Sequence, residues 1–157
     1  MVIDSINELE EKIKNSSKLL IGLGQNVSFS ENDIVNFEKL IKDRDYYIVS
    51  MAENEIDCLS DKNIVYPLSG NEEAWDKYLK WLQDTINKSL LILELGVSFI
   101  NPEVIRFPFE KTCMYNNKSF MIRVNSVFYQ IPEEISNKST GIKSDVSAFL
   151  EKVALFY

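Results

Sequence analysis

The sequence contains no histidine, and this absence excludes several common kinds of catalytic site. Without an imidazole there is no Ser-His-Asp triad, no Cys-His pair, no histidine-ligated zinc and no histidine general base. Acid–base chemistry would fall to Asp, Glu, Lys, Tyr or a cysteine with a shifted pKa. The composition alone therefore excludes many of the common reaction classes.

Cysteine is also scarce, with two residues, Cys58 and Cys113. A structural zinc site needs four ligands, usually in closely spaced pairs, so no zinc is expected. The N-terminus lacks a basic region followed by a long apolar stretch. The longest apolar run, residues 90–100, is interrupted by Glu94 and is too short to span a bilayer. We therefore expect a cytoplasmic protein with reduced thiols and no membrane partner.

Basic residues are outnumbered, since the 157-residue chain carries 24 acidic and 17 basic residues and a formal net charge of −7. A nucleic-acid backbone needs a basic face, and the three arginines and fourteen lysines are scattered along the chain. No nucleic-acid partner is therefore expected. The length suits one domain, and no repeat, linker or change of composition divides the chain, so we predict a single domain over residues 1–157.

Apolar runs alternate with amphipathic segments along the chain. The apolar runs predict buried strands at residues 18–21, 46–51, 63–66, 90–95 and 120–125. Cap residues and apolar positions at helical spacing predict helices over residues 5–15, about 30–42, 71–87 and 144–155. Pro102 is placed in the first turn of a further helix. Buried strands that alternate with helices form βαβ units, so the predicted fold class is α/β with a mostly parallel sheet.

Ligands of open parallel sheets bind beyond the carboxyl ends of the strands, so the residues that follow each predicted strand are candidates. Glycines in residues 22–28 would let the backbone approach a phosphate, although a tight turn would need the same glycines. Residues 50–57 are rich in hydrogen-bond acceptors, although a solvated acidic loop is the favoured interpretation of this segment alone. Small or polar residues also follow the last two predicted strands, at 96–99 and 125–126. Together these strand ends favour a small-molecule cleft.

Glu94 interrupts a strand that is otherwise apolar and is expected to be buried. A buried carboxylate without a partner would cost several kcal/mol or have a raised pKa. Arg106 and Arg123 are the arginines of the second half of the chain, and both lie in apolar stretches. A structural ion pair is the favoured interpretation, with ligand contact or a catalytic glutamate as the alternatives.

Four segments follow one another in a specific order between residues 75 and 125. They read Trp-x-x-Tyr-x-x-Trp-Leu at 75–82, Leu-Ile-Leu-Glu-Leu-Gly-Val-Ser-Phe at 91–99, Pro-x-x-Ile-Arg-Phe-Pro-Phe-Glu at 102–110 and Ile-Arg-Val-Asn at 122–125. This order resembles the C-terminal half of bacterial sirtuins, nearest to the macrodomain-linked class, whose members resemble ADP-ribosyltransferases more than deacylases. More weakly, Gly22-Leu23-Gly24 stands where that family has Gly-Ala-Gly, and residues 67–70 resemble its Pro-Cys-Gly element without the cysteine.

The resemblance implies a three-layer Rossmann-like fold with a cleft for NAD, ADP-ribose or a related nucleotide. By this resemblance, the residues near the phosphates or the nicotinamide pocket are Gly22, Gly24, Gln25 and Ser28. Gly96 and Ser98 would lie near the phosphates. Asn54 and Asp57 would lie near the nicotinamide ribose, and Asn125 near the adenine ribose. The family positions matched by Glu94, Arg106 and Glu110 are structural, in agreement with the ion-pair interpretation.

The departures from the family are as informative as the matches. The sirtuin catalytic base is a histidine, and this sequence has none. The cysteines of the zinc-binding module are missing, and the long cofactor-binding loop between the first two strands is mostly absent. Ordinary sirtuin deacylation is therefore not expected, whereas the fold and nucleotide binding are.

Three functions remain open from the sequence. The first is a degenerate sirtuin-like module that binds NAD or ADP-ribose, for which Gly24→Val is expected to abolish binding and leave the fold intact. The second is a protein–protein interaction module with a vestigial cleft, acting as a homo-oligomer or with another protein. The third is an enzyme that cleaves NAD or transfers ADP-ribose with carboxylates, the candidates being Asn54, Asp57 and Glu53.

Overall fold

The computed structural model describes residues 6–52, 56 and 59–157. Helices α1 to α5 span Ile6–Asn15, Glu31–Ile41, Glu72–Gln83, Arg106–Tyr115 and Val146–Ala154. Strands β1 to β6 span Lys18–Leu23, Asp45–Ser50, Ile64–Val65, Leu90–Leu95, Ser119–Val124 and Ser139–Ile142. A 3-10 helical segment, Glu133–Lys138, connects β5 to β6. None of the helices in these described ranges is long and apolar enough to cross a membrane.

Within the described residues, six strands form one parallel sheet in the order β3-β2-β1-β4-β5-β6. Because side chains alternate along a strand, β1 directs Leu19, Ile21 and Leu23 towards α1, α2 and α5, and Leu20 towards the opposite face. That opposite face is covered by α3, α4 and the 3-10 segment. The predicted α/β class is confirmed, and the arrangement is a three-layer Rossmann-like fold.

The structure contains one strand that the sequence patterns do not predict, and one helix begins later than predicted. Strand β6 was not predicted, because its sequence Ser-Thr-Gly-Ile lacks the apolar run that marks the other strands. Pro102 does not lie in the first turn of a helix, since residues 101–105 form turns and α4 begins at Arg106. Ile105, which directly precedes α4, has a φ of −119°, so the turns that contain Pro102 do not continue into the regular helix geometry.

The N-terminus of α2 shows the predicted cap in detail. The Ser30 hydroxyl accepts a hydrogen bond from the Asp33 backbone N–H at 3.1 Å, and the Asp33 carboxylate accepts one from the Ser30 backbone N–H at 3.0 Å. This reciprocal capping box satisfies backbone donors that have no partner inside the helix. The capping box predicted for the first helix begins at Ser5, which lies outside the described residues.

Replacing the Ser30 cap should lower stability measurably. We expect Ser30→Ala to reduce the free energy of unfolding by about 1 kcal/mol, because the Asp33 N–H loses its acceptor. Ser28→Ala is the matched control, since Ser28 is exposed and precedes the cap. Urea denaturation followed by circular dichroism would measure both variants. Equal stability of the two would show that the capping box contributes nothing to folding.

Candidate functional site

A cleft of about 470 Å³ opens at the carboxyl edge of the sheet. Its walls are the segments that follow β1, β4, β5 and β6, together with the N-terminus of α5. The chain runs outward from β1 to β2 and β3, then crosses back to β4, so the cleft lies beside the point where the strand order reverses. Doubly wound sheets bind their ligands at this topological switch point.

The lining of the cleft contains some of the predicted site residues and omits others. Its polar residues are Asn26, Ser28, Ser98, Asn125, Ser126, Ser144, Asp145 and Ser147. Gly96 also lines it, so four predicted residues from three strand ends meet here: Ser28, Gly96, Ser98 and Asn125. Gly22, Gly24 and Gln25 are not among the residues that line this cleft. Asn54 and Asp57 lie outside the described residues.

Gly22 and Gly24 are glycines because of packing inside the protein. A Cβ atom on Gly22 would come within 2.8 Å of the side chains of Ile105 and Phe109 on the α4 side. One on Gly24 would lie 1.9 Å from the carbonyl oxygen of Gly96, so the backbones after β1 and β4 touch at this point. This contact overturns the expectation that Gly24→Val would leave the fold intact.

Asn125 and Arg106 hold together the two loops that follow β4 and β5. The Asn125 amide donates to the Val97 carbonyl at 3.0 Å and accepts from the backbone N–H groups of Val127 and Phe128, each at 2.9 Å. The Arg106 guanidinium, which is buried, donates to the carbonyls of Val97 at 3.1 Å and Phe128 at 3.0 Å. Both side chains therefore fix the shape of the cleft wall.

The N-terminus of α5 forms the wall that sequence reasoning missed. Asp145 caps this helix by accepting from the Ala148 N–H at 2.7 Å, and the Ser147 hydroxyl donates to the Asp33 carboxylate at 2.9 Å. The second contact joins the N-termini of α2 and α5. Asp145 directly precedes Val146, the first residue of an apolar helical stripe, and this is a usable cap signal, but without β6 there was no strand end to search beside it.

The charge of the cleft is not that of a typical phosphate site. Among the described residues, its lining includes no lysine or arginine, and Asp145 contributes a carboxylate. Hydroxyl and amide groups dominate instead, together with the backbone N–H groups of the first turn of α5, which carry a partial positive charge. This chemistry suits sugar hydroxyls, and it would hold a phosphate through backbone donors.

Beneath the cleft, Glu94 is paired as the sequence predicted. The buried Arg123 guanidinium donates to both Glu94 carboxylate oxygens, at 3.1 and 2.8 Å, and to Glu110 at 2.9 Å. Burial raises the pKa of Glu94, and the charge and hydrogen bonds of Arg123 oppose this rise without cancelling it. Burial lowers the pKa of Arg123, but the two carboxylates raise it by more. The geometry supports a structural role for this network.

Breaking this network should destabilise the fold in a pH-dependent way. Arg123→Met leaves Glu94 fully buried without its cation, and we expect a loss of about 3–5 kcal/mol in the free energy of unfolding at pH 8. The pKa of Glu94 should then rise further. Because both the folded and the unfolded states bind this proton at low pH, the deficit relative to wild type should shrink towards about pH 5.

The control for this prediction is the double variant Glu94→Leu/Arg123→Met, which removes both buried charges. It should be more stable than Arg123→Met alone at pH 8 and should lack the recovery at low pH. Guanidinium denaturation across this pH range would measure all three proteins. A deficit in Arg123→Met that is independent of pH would contradict the assignment to Glu94.

The contact between Gly24 and Gly96 predicts an unusually costly alanine substitution. Gly24→Ala should lose more than about 3 kcal/mol of stability, because the methyl group meets backbone that cannot move independently. Gly70→Ala is the control, since Gly70 has a positive φ of 75° and no heavy atom within 4 Å of its Cβ position. There we expect the strain of about 1–2 kcal/mol for a left-handed alanine. Equal losses in thermal unfolding would refute a special contact at Gly24.

Comparison with known proteins gives one partial similarity. No family model matches the chain. Over 74 residues, it is 23% identical to a protein ADP-ribosyltransferase of Staphylococcus aureus (strain Mu50 / ATCC 700699). The match covers 47% of this chain and 24% of that protein, so the matched segment spans about a quarter of the curated relative's length.

Proposed function

We propose that this chain is a shortened sirtuin-like module that binds ADP-ribose or NAD in the cleft at the carboxyl edge of its sheet. The observation that carries the proposal is the convergence of Ser28, Gly96, Ser98 and Asn125 on one cleft at the topological switch point. The partial similarity to a protein ADP-ribosyltransferase supports the same class of ligand.

The dimensions and chemistry of the cleft agree with a nucleotide of this kind. Its volume of about 470 Å³ lies within the range of small-molecule and cofactor sites. Serine hydroxyls and asparagine amides offer donors and acceptors to ribose hydroxyls, and the first turn of α5 offers backbone N–H groups to a phosphate. Since no cation lines the described cleft and Asp145 opposes a phosphate, we expect micromolar affinity.

A second candidate function is protein–protein interaction. Apolar side chains are exposed in the segment that follows β4 and on α4, among them Phe99, Ile100 and Phe107, each with about half of its surface accessible. Such side chains are typical of a surface that a second copy or another protein covers. Sedimentation velocity across micromolar to millimolar concentration distinguishes this candidate, because a strictly monomeric protein would count against self-association.

Nucleotide binding can be tested by filling the cleft with a large side chain. Ser28 is exposed and lines the cleft, so Ser28→Trp should block it without disturbing the core. Ser136→Trp is the matched control, since Ser136 is exposed and lies in the 3-10 segment before β6. This segment enters the sheet at the amino ends of its strands, whereas the cleft lies at their carboxyl ends. In isothermal titration with ADP-ribose and with NAD, we expect at least tenfold weaker binding by Ser28→Trp and wild-type affinity for Ser136→Trp.

The same samples distinguish binding from catalysis. Absence of heat with both nucleotides, at protein concentrations near a millimolar, would overturn the proposed function. Nicotinamide release from NAD, followed by chromatography, tests the enzyme that the similarity to an ADP-ribosyltransferase favours. Release that disappears in Asn54→Ala and Asp57→Ala would assign it to these residues. Release without dependence on them would exclude their predicted role.

A further inference from the structure

Phe99 and Phe128 form a pair of aromatic rings, the aromatic rim, at the edge of the cleft. Phe128 lines the cleft and is 37% exposed, whereas Phe99 is 52% exposed. Their ring centroids lie 5.3 Å apart with an interplanar angle of 86°, an edge-to-face pair. By contrast, Phe109, which packs in the core, is 1% exposed. The rim therefore presents apolar surface next to a polar cleft.

Arg106 and Asn125 hold the aromatic rim in place. The buried Arg106 guanidinium lies 4.1 Å from the centroid of the Phe99 ring and donates a hydrogen bond to the Phe128 carbonyl. Asn125 accepts hydrogen bonds from the backbone N–H groups of Val127 and Phe128. Thus one cation contacts both rim residues, and the two loops that carry the rings are connected. A ligand that contacts the rim would meet preorganised rings, which reduces the entropic cost of binding.

We propose that the aromatic rim stacks the planar base of a nucleotide whose ribose lies in the serine-lined cleft. This inference rests on the proposed function and adds a base-recognition surface to it. Continuity supports it, because Phe128 belongs both to the rim and to the lining of the cleft. Stacking on phenylalanine uses the face of the base, which every base has. The rim would therefore distinguish ligands that carry a base from ligands that lack one, and it would not distinguish one base from another.

The experiment compares ligands with and without a base on two leucine variants. Phe128→Leu keeps an apolar side chain and removes the ring, and Phe107→Leu is the control, since Phe107 is 47% exposed on α4 and is not part of the cleft lining. The probes are ADP-ribose, adenosine and ribose 5-phosphate, each titrated calorimetrically. We expect Phe128→Leu to weaken ADP-ribose and adenosine about 5- to 100-fold and to leave ribose 5-phosphate unchanged. Phe107→Leu should match wild type.

The outcomes separate this inference from the function on which it rests. Equal affinity of wild type and Phe128→Leu for ADP-ribose and adenosine would overturn stacking and leave nucleotide binding in place. Adenosine binding that depends on Phe128, without any binding of ADP-ribose or NAD, would uphold stacking and overturn the proposed function. No binding of any base-containing ligand by wild type would overturn both. Thermal unfolding of each variant confirms that the fold is intact.

Discussion

The architecture around the cleft depends on how one buried guanidinium is satisfied. Arg123 lies on β5, with its side chain 1% exposed, and it pairs with Glu94 on β4 and Glu110 on α4. A third contact, from Arg123 to the Gln130 carbonyl at 2.9 Å, reaches the segment after β5. Because a buried charge without partners is costly, these groups must be in place together. The network thereby fixes where the loop after β5 leaves the sheet.

A second guanidinium, that of Arg106, supports the loops that line the cleft. Arg106 contacts Val97 and Phe128 through their carbonyls, so it ties the loop after β4 to the loop after β5. The backbone after β1 also approaches the backbone after β4, and it can do so because Gly24 has no side chain that would meet Gly96. The ion pairs of Arg123, the hydrogen bonds of Arg106 and the contact between Gly24 and Gly96 together give the cleft between β4, β5 and α5 a defined shape.

Much of the fold could be predicted because its strands carry a strong local signal. The run at Leu90–Leu95 was placed with both ends correct, since an apolar strand covered on both faces contrasts with the polar residues beside it. The Glu94 pairing was also predicted, because a carboxylate inside such a strand needs a partner. In contrast, β6 carries Ser, Thr and Gly, and its strand conformation comes from pairing with β5, which no local pattern reveals.

The candidate site was predicted in part, for an equally physical reason. Ser28, Gly96, Ser98 and Asn125 could be placed because they follow strands that the sequence identifies. For the glycines at 22 and 24, sequence cannot tell close approach to a phosphate from close packing inside the protein, which is against side chains at Gly22 and against backbone at Gly24. The contribution of α5 depends on the unrecognised β6, so Asp145 and Ser147 were missed.

The short outer strands have a consequence for how copies of this protein could associate. β3 has two residues and β6 has four, and these are the strands at the two margins of the sheet. Each margin therefore offers few unpaired backbone groups to a strand from another chain. Growth of the sheet by strand addition is disfavoured on both sides, which protects the parallel core from edge-to-edge aggregation. Association would have to proceed through side-chain surfaces on the helical layers or around the cleft.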